Sequence, residues 1–122
     1  MSKPEAIPHL KWTKSVNWIE QALKRLNTEQ AVLVTVNATQ GSVPRGPGTH
    51  MLVFANGEWG TIGGGHLEFQ ALAHARRLLA GELVSTELRQ VLGPSLGQCC
   101  GGVVALILAR VGAQDMVRLR NL

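Results

Sequence analysis

Aromatic residues, cysteines and charges are all scarce in this chain of 122 residues. It holds three Trp, two Phe and no Tyr, and 12 Lys and Arg against 8 Asp and Glu leave a net charge of only +4. The basic residues are spread along the sequence, whereas a nucleic-acid-binding surface usually gathers them on one face. We therefore expect no nucleic-acid partner.

Long hydrophobic runs are also missing. No apolar run approaches the roughly 20 residues that span a bilayer. Residues 1–14 are polar and have no hydrophobic signal core. We therefore expect no membrane partner and a cytoplasmic location.

Only two cysteines are present, Cys99 and Cys100, and they are adjacent. Neighbouring cysteines rarely bridge each other, because their Cβ atoms point apart in an extended chain. This excludes a disulfide-stapled fold and agrees with reduced thiols in the cytoplasm. The lack of a second cysteine pair argues against a zinc site of the usual spacing.

Familiar catalytic constellations are absent as well. Aspartate occurs only at Asp115, so a Ser-His-Asp set is not indicated. No Walker lysine follows the glycine run at residues 60–65, and the spacing of that run differs from the dinucleotide-binding fingerprint.

The length and an apolar content of 45% are typical of one domain with its own core. Apolar residues at spacings of three and four predict helices, and β-branched or alternating stretches predict strands. The helices are predicted at residues 15–27 and 67–80, and the strands at residues 31–36, 51–54, 58–62, 85–91 and 103–111. The predicted fold class is α/β, a single domain with a mixed sheet flanked by two main helices.

Local signals refine this outline. Asn56-Gly57 predicts a type I′ hairpin turn, and Gly81 is a typical residue just past a helix end. We expect a flexible segment at residues 1–14, the domain at residues 15–111, and an unassigned tail at residues 112–122, in which residues 116–122 can form a turn of helix or be frayed.

Glycine is concentrated in three loops, at residues 41–48, 60–65 and 93–102. Long ordered loops in compact domains are often functional. In the middle loop, three successive glycines precede a helix, whose free N–H groups favour anions. A strand, a glycine turn and a helix start together can form a phosphate site. The alternative is a tight turn that packs against the sheet.

Four side chains in or beside these loops are candidates for binding. Arg45 can fork onto a phosphate or carboxylate, or be a solvated loop residue. Ser42 can add a hydroxyl donor or stabilise its turn. His66 can bind an anion, donate a hydrogen bond or ligate a metal, or be structural. Cys100, beside the open backbone of Gly101-Gly102, can be a soft metal ligand or sulfur acceptor if its pKa is lowered, or a buried apolar residue.

Three motifs together resemble the XdhC/CoxI family, in its N-terminal domain. They are GSVPR at residues 41–45, GTIGGGHLE at residues 60–68 and LGPSLGQCCGG at residues 92–102. Their order and separations fit that family over roughly residues 32–108. Family members often have Cys at the position of His66, and they usually carry a further Rossmann-like domain that this chain lacks.

The resemblance implies a non-enzymatic chaperone in the maturation of xanthine dehydrogenase-type molybdenum hydroxylases. Its cargo would be molybdenum cofactor, a molybdopterin, protected while its sulfido ligand is installed. The implied partners are the apo-enzyme, a cysteine desulfurase and a second copy of the chain. The residues implied in cofactor binding are Ser42, Arg45, Gly63, Gly64, Gly65, His66, Gln98, Cys100, Gly101 and Gly102. Cys100 is also a possible molybdenum ligand or sulfur relay, with Cys99 the weaker candidate.

Two other classes of function fit the same loops. One is a nucleotide-binding module or enzyme that uses the glycine loops for a phosphate. The other is an interaction domain that recruits the desulfurase or the target enzyme through an edge strand and its basic tail.

Overall fold

The computed structural model describes residues 19–93 and 102–122. Within these ranges the chain forms three α-helices and five β-strands, so the predicted α/β class is confirmed. The elements are α1 (residues 19–25), β1 (Ala31–Gln40), β2 (His50–Val53), β3 (Glu58–Gly60), α2 (Gly65–Leu79), β4 (Glu87–Val91), β5 (Val103–Val111), a 3-10 turn (Ala113–Asp115) and α3 (Met116–Arg120).

The five strands form one sheet in the order β3-β2-β1-β5-β4. All four pairings between neighbouring strands are antiparallel, which corrects the expected mixed pairing. A helical crossover makes two strands parallel neighbours only when it returns the chain beside the strand it left. Here α2 leads from β3, at one edge, to β4, at the opposite edge, so it creates no parallel pair.

Both faces of the sheet are covered. Val32, Val34 and Val36 of β1 belong to the core under α2. Ala31 and Leu33, which alternate with them, belong to a second core with α1 and α3. This two-sided burial explains why β1 begins as an almost continuous apolar run. No helix in the described ranges is long and apolar enough to cross a bilayer.

Strand β1 runs four residues beyond its predicted end. Its last part pairs with β5 alone, from Ala38 opposite Ala105 to Gln40 opposite Val103. A shift of register between Val36 and Ala38 marks the change. These residues are mostly exposed and polar, so they carry no apolar signal of a strand.

Glycine residues mark the end of α2 and the turn of the β2–β3 hairpin. Gly81 adopts φ +84°, and its N–H donates to the Leu78 carbonyl at 3.1 Å, which confirms it as the helix terminator. The predicted hairpin is confirmed, but its turn is not type I′. Gly57 has a positive φ and Asn56 does not, whereas type I′ requires both.

The antiparallel order brings the first two glycine loops, and the two ends of the third, to one end of the sheet. β1, β3 and β4 end there, and β2, β5 and α2 begin there. We call this the glycine end. The opposite end carries the turn at residues 54–57 and is called the hairpin end.

Candidate functional site

The first glycine loop is a closed and ordered excursion between β1 and β2. The Val36 N–H donates to the Thr49 carbonyl at 2.8 Å, and the Gly48 N–H donates to the Val36 carbonyl at 2.8 Å. The Thr49 hydroxyl donates to the Gly46 carbonyl at 2.8 Å. These bonds pin the base of the loop and present residues 42–45 at its outer part.

The second glycine loop packs directly on the first. Gly63, Gly64 and Gly65 all have positive φ, at +123°, +76° and +65°. A Cβ atom on Gly63 would lie 2.8 Å from Pro44 Cβ and 3.5 Å from Arg45 Cγ. Glycine is therefore required at position 63 both by its backbone conformation and by the close approach of Pro44.

The end of the third glycine loop, at Gly102, lies at the same place. A Cβ atom on Gly102 would lie 2.2 Å from the Ser42 carbonyl oxygen and 2.6 Å from the Gln40 carbonyl oxygen. The chain thus enters β5 pressed against the start of the first loop. The structure brings Ser42, Arg45, Gly63 and Gly102 together from three separate stretches of sequence.

A carboxylate from α2 holds the glycine turn from inside. Glu68 Oε1 accepts the Thr61 hydroxyl at 2.5 Å and the N–H groups of Ile62 and Gly64, each at 3.1 Å. The Gly63 N–H donates to Thr61 Oγ1 at 3.0 Å. The amides of Gly63 and Gly64 are therefore already engaged within the chain. We did not predict this role of Glu68; its only signal in the sequence is an acidic residue in a first helical turn.

The start of α2 itself carries no side-chain cap. The N–H groups of Gly65, His66 and Leu67 are the first three of the helix, and such groups have no acceptor within a helix. The positive end of the helix dipole adds to their affinity for negative charge. These three amides, rather than those of Gly63 and Gly64, are the donors that the glycine end can offer to an anion.

Arg45 and Ser42 lie exposed on the first loop. Within residues 19–93 and 102–122, Arg45 forms no ion pair, although five other arginines of these ranges do. Its guanidinium is thus available for a phosphate or carboxylate from outside the chain.

His66 is half-buried in the first turn of α2 and has two neighbours on the same helix. Gln70 Nε2 lies 3.1 Å from His66 Nε2, within hydrogen-bond distance. The ring centroids of His66 and Phe69 lie 6.2 Å apart with an interplanar angle of 29°. We did not predict Phe69 as a site residue; a Phe on the outer side of an amphipathic helix was the available signal.

Several predicted site residues lie outside the described residues: Gln98, Cys99, Cys100 and Gly101. Their roles in cofactor or metal binding therefore remain predictions. In the part of the chain that the structure describes, no group of three or more His, Cys, Asp or Glu side chains is placed to hold a metal ion.

Comparisons with known proteins agree with the sequence motifs. The family model described as the XdhC and CoxI family matches residues 25–87, which include the first two glycine loops and α2. Among solved structures, the chain is similar to one described as a xanthine dehydrogenase from Bacillus halodurans, with a TM-score of 0.67 and 22% identity. The match covers 84% of this chain and 33% of that one, so this chain spans about a third of the length of that structure. A comparison with curated proteins gave no match.

Proposed function

The chain belongs to the XdhC and CoxI family, and on that premise we propose that it is an accessory protein of molybdenum hydroxylase maturation. It binds molybdenum cofactor as cargo, protects it during sulfuration, and passes it to a xanthine dehydrogenase-type apo-enzyme. It performs no catalytic step of its own. The solved structure described as a xanthine dehydrogenase supports the fold on which this role rests.

One observation carries the proposal: the second glycine loop, at Gly63, and the end of the third, at Gly102, both pack against the first loop. Gly63 approaches Pro44, and Gly102 approaches the Ser42 carbonyl, closely enough to exclude a Cβ atom at either glycine. Ordering glycine-rich backbone is entropically costly. Three such segments meeting at one place are better explained by a binding site than by three independent turns.

The chemistry available at the glycine end suits the anionic part of the cargo. The cofactor's phosphate would be held by the Arg45 guanidinium and the amides of Gly65 and His66, with the Ser42 hydroxyl as a further donor. Glu68 cannot bind the phosphate, because its carboxylate is negatively charged and already accepts a hydrogen bond from the Gly64 N–H. Its charge repels a phosphate from the interior of the glycine turn.

Sulfur and metal chemistry is assigned to the third loop. Thiolates are the ligands that suit soft metal ions and sulfur transfer. Cys100 is two residues from Gly102, and two residues of chain span at most about 7 Å. Cys100 is therefore the proposed contact to molybdenum or to the transferred sulfur, with Cys99 second, and Gln98 and Gly101 as neighbouring polar and backbone contacts.

The proposed partners follow from this role. A cysteine desulfurase supplies the sulfur, the apo-enzyme receives the cofactor, and a second copy of the chain completes the site. The cytoplasm is the proposed compartment, since it keeps the thiols reduced.

The test is retention and transfer of cargo by the purified protein. Protein mixed with molybdenum cofactor is separated from free cofactor, its molybdenum and pterin contents are measured, and transfer to apo-xanthine dehydrogenase is followed as activity gained. We expect Arg45→Ala to retain less of both, and Cys100→Ala to lose transfer of sulfurated cofactor. Arg89→Ala, an exposed arginine on β4, is the matched control.

Two results would overturn the proposal. Failure of the wild-type protein to retain the cofactor would refute the function itself. Unchanged retention and transfer in both variants would refute the site. A thermal-shift screen with nucleotides covers the competing function: a large shift with a nucleotide and none with the cofactor would favour a nucleotide-binding module.

A further inference from the structure

Phe69 is a solvent-exposed aromatic side chain. Its exposed fraction is 65%, and it is the one aromatic among the large exposed hydrophobic residues of the described ranges. The buried stripe of α2 is formed by Leu67, Ala71, Ala75 and Leu78, and Phe69 lies on the opposite side of the helix. Neither core therefore accounts for it.

The ring has a defined position despite its exposure. Helical side chains lean toward the N-terminus of their helix, so Phe69 covers the turn that begins at Gly65. It stacks there with His66, whose ring nitrogen Nε2 lies 3.1 Å from Gln70 Nε2. Two rings tilted by 29° thus lie together directly after the glycine turn, and Phe69 is the exposed one.

We propose that Phe69 and His66 form a stacking surface for a planar conjugated ring of the bound cargo. The inference rests on the proposed function and names the part of the site that contacts the pterin. Aromatic side chains bind planar heterocycles through their π-faces largely independently of the heterocycle's hydrogen-bonding edge. A Cβ atom on Gly63 would lie 3.5 Å from Arg45 Cγ, and His66 follows Gly63 by three residues, so the arginine and the ring pair border the same glycine turn.

The surroundings of Phe69 favour a small ring over a protein partner. One turn after Phe69 come Leu72, which is half-buried and packs against the core, and the exposed Ala73, and Arg76 and Arg77 follow in the next turn. Arg76 is engaged by Glu58, and Arg77 by Glu82. The aromatic patch is therefore small and bordered by charge, whereas a protein docking site has an apolar centre of several residues.

The experiment measures binding of neopterin monophosphate, AMP and ribose 5-phosphate, which carry a pterin, a purine and no aromatic ring. Phe69→Leu keeps the apolar bulk and removes the π-face, and Phe69→Trp restores it. Val117→Ser, at a residue 73% exposed on α3, is the control for loss of an exposed hydrophobic side chain. Thermal unfolding checks that all variants remain folded.

We expect Phe69→Leu to weaken binding of the pterin phosphate about fivefold to tenfold, since aromatic contacts of this kind contribute energies of that order. Phe69→Trp should bind it as the wild type does, and Val117→Ser should have no effect. Binding of ribose 5-phosphate should be weak and equal in all variants.

Three results would overturn the inference: no binding of the pterin phosphate by the wild type, unchanged binding in Phe69→Leu, or tighter binding of AMP than of the pterin. Failure of the proposed function is distinguishable from failure of this inference. The proposed function fails if the wild-type protein retains no molybdenum cofactor, whereas the inference is decided by whether Phe69→Leu changes the binding of the pterin phosphate.

Discussion

The two ends of the sheet are held by opposite charges from the same helix. At the glycine end, Glu68 in the first turn of α2 collects a hydroxyl and two N–H groups. At the hairpin end, Arg76 in the last turn of α2 donates to the carbonyl oxygens of Phe54 and Gly57, each at 3.2 Å. Each charge also lies at the end of the helix where the dipole favours it.

The two ends differ in how completely they are closed. At the hairpin end, Arg25 donates to the Asn56 carbonyl at 2.9 Å, pairs with Glu29 at 2.7 Å and lies 4.0 Å over the Phe54 ring. At the glycine end, Arg45 has no ion pair within the described residues, and the first amides of α2 have no side-chain cap. Within the described residues, one end satisfies its own charges, and the other, with its free donors and exposed Phe69, is the end at which we propose that a ligand binds.

The largest expected effect comes from breaking the contact between the loops. Gly102→Ala places a Cβ atom against two backbone carbonyls, and we expect a loss of at least about 3 kcal/mol in the free energy of unfolding. Gly64→Ala, with open space around its Cβ position but φ +76°, should lose about 1–2 kcal/mol from backbone strain alone. Urea denaturation of both variants checks this order, and an equal loss would contradict the steric role of Gly102.

The second effect distinguishes the charge of the Glu68 carboxylate from its shape. Glu68→Ala leaves the Thr61 hydroxyl and the N–H groups of Ile62 and Gly64 without their acceptor, and should cost about 2–3 kcal/mol. Glu68→Gln keeps an acceptor oxygen and should lose less, because charge-assisted hydrogen bonds are roughly twice as strong as neutral ones. Hydrogen exchange should rise at residues 61–64 in Glu68→Ala and stay unchanged at residues 54–57. Equal exchange at both ends would show that the ends are not held independently.

The third effect probes the hairpin end alone. Arg76→Met removes the donors to two carbonyls and should cost about 1–2 kcal/mol. Arg76→Lys keeps the charge but lacks the planar fork, so it should recover only part of the loss. Cofactor retention should equal that of the wild type in both variants once they are folded. Reduced retention by the folded Arg76→Lys protein would contradict the assignment of binding to the glycine end.

The smallest effect is the response of the hairpin end to acid. The hydrogen bond from the Arg25 guanidinium lowers the pKa of Glu29. A carboxylate with a lowered pKa in the folded state contributes stability above its ordinary value, and this contribution is lost as the pH falls through the lowered pKa. We expect less than about 1 kcal/mol, since the pair is partly exposed. Unfolding measured between pH 7 and pH 3 should show a steeper loss below the ordinary pKa of 4.5 in the wild type than in Glu29→Gln; parallel curves would contradict it.

Sequence patterns predicted the elements that have a regular apolar repeat and the turns that depend on a single residue. Strand β5 was predicted with its bounds, and α2 within two residues of each end, because their apolar patterns are regular. The terminator Gly81 follows from the conformational freedom of glycine. The last four residues of β1 were missed because their only strand partner, β5, lies far along the chain.

The sequence predicted which loops are rich in glycine but not that they lie at the same end of the sheet. The three loops stand out by their glycines, but their meeting depends on the strand order, which no local pattern encodes. The part played by Glu68 was hidden for a related reason. A glutamate in a first helical turn is common, and its hydrogen bonds reach back into a turn whose shape is set by Gly63 and its contact with Pro44.

The position of β5 in the sheet has a consequence for how the protein is made. β5 is the last strand of this sheet to be synthesised, yet it lies between β1 and β4, and within the described residues it is the one strand that pairs with β4. Until the ribosome releases β5, Gly102 cannot reach Ser42, and one edge of β1 stays open. Pairing across such a long stretch of chain is also the slow part of folding. A nascent chain therefore lacks the assembled glycine end, and the proposed capture of cargo would have to wait until β5 has paired.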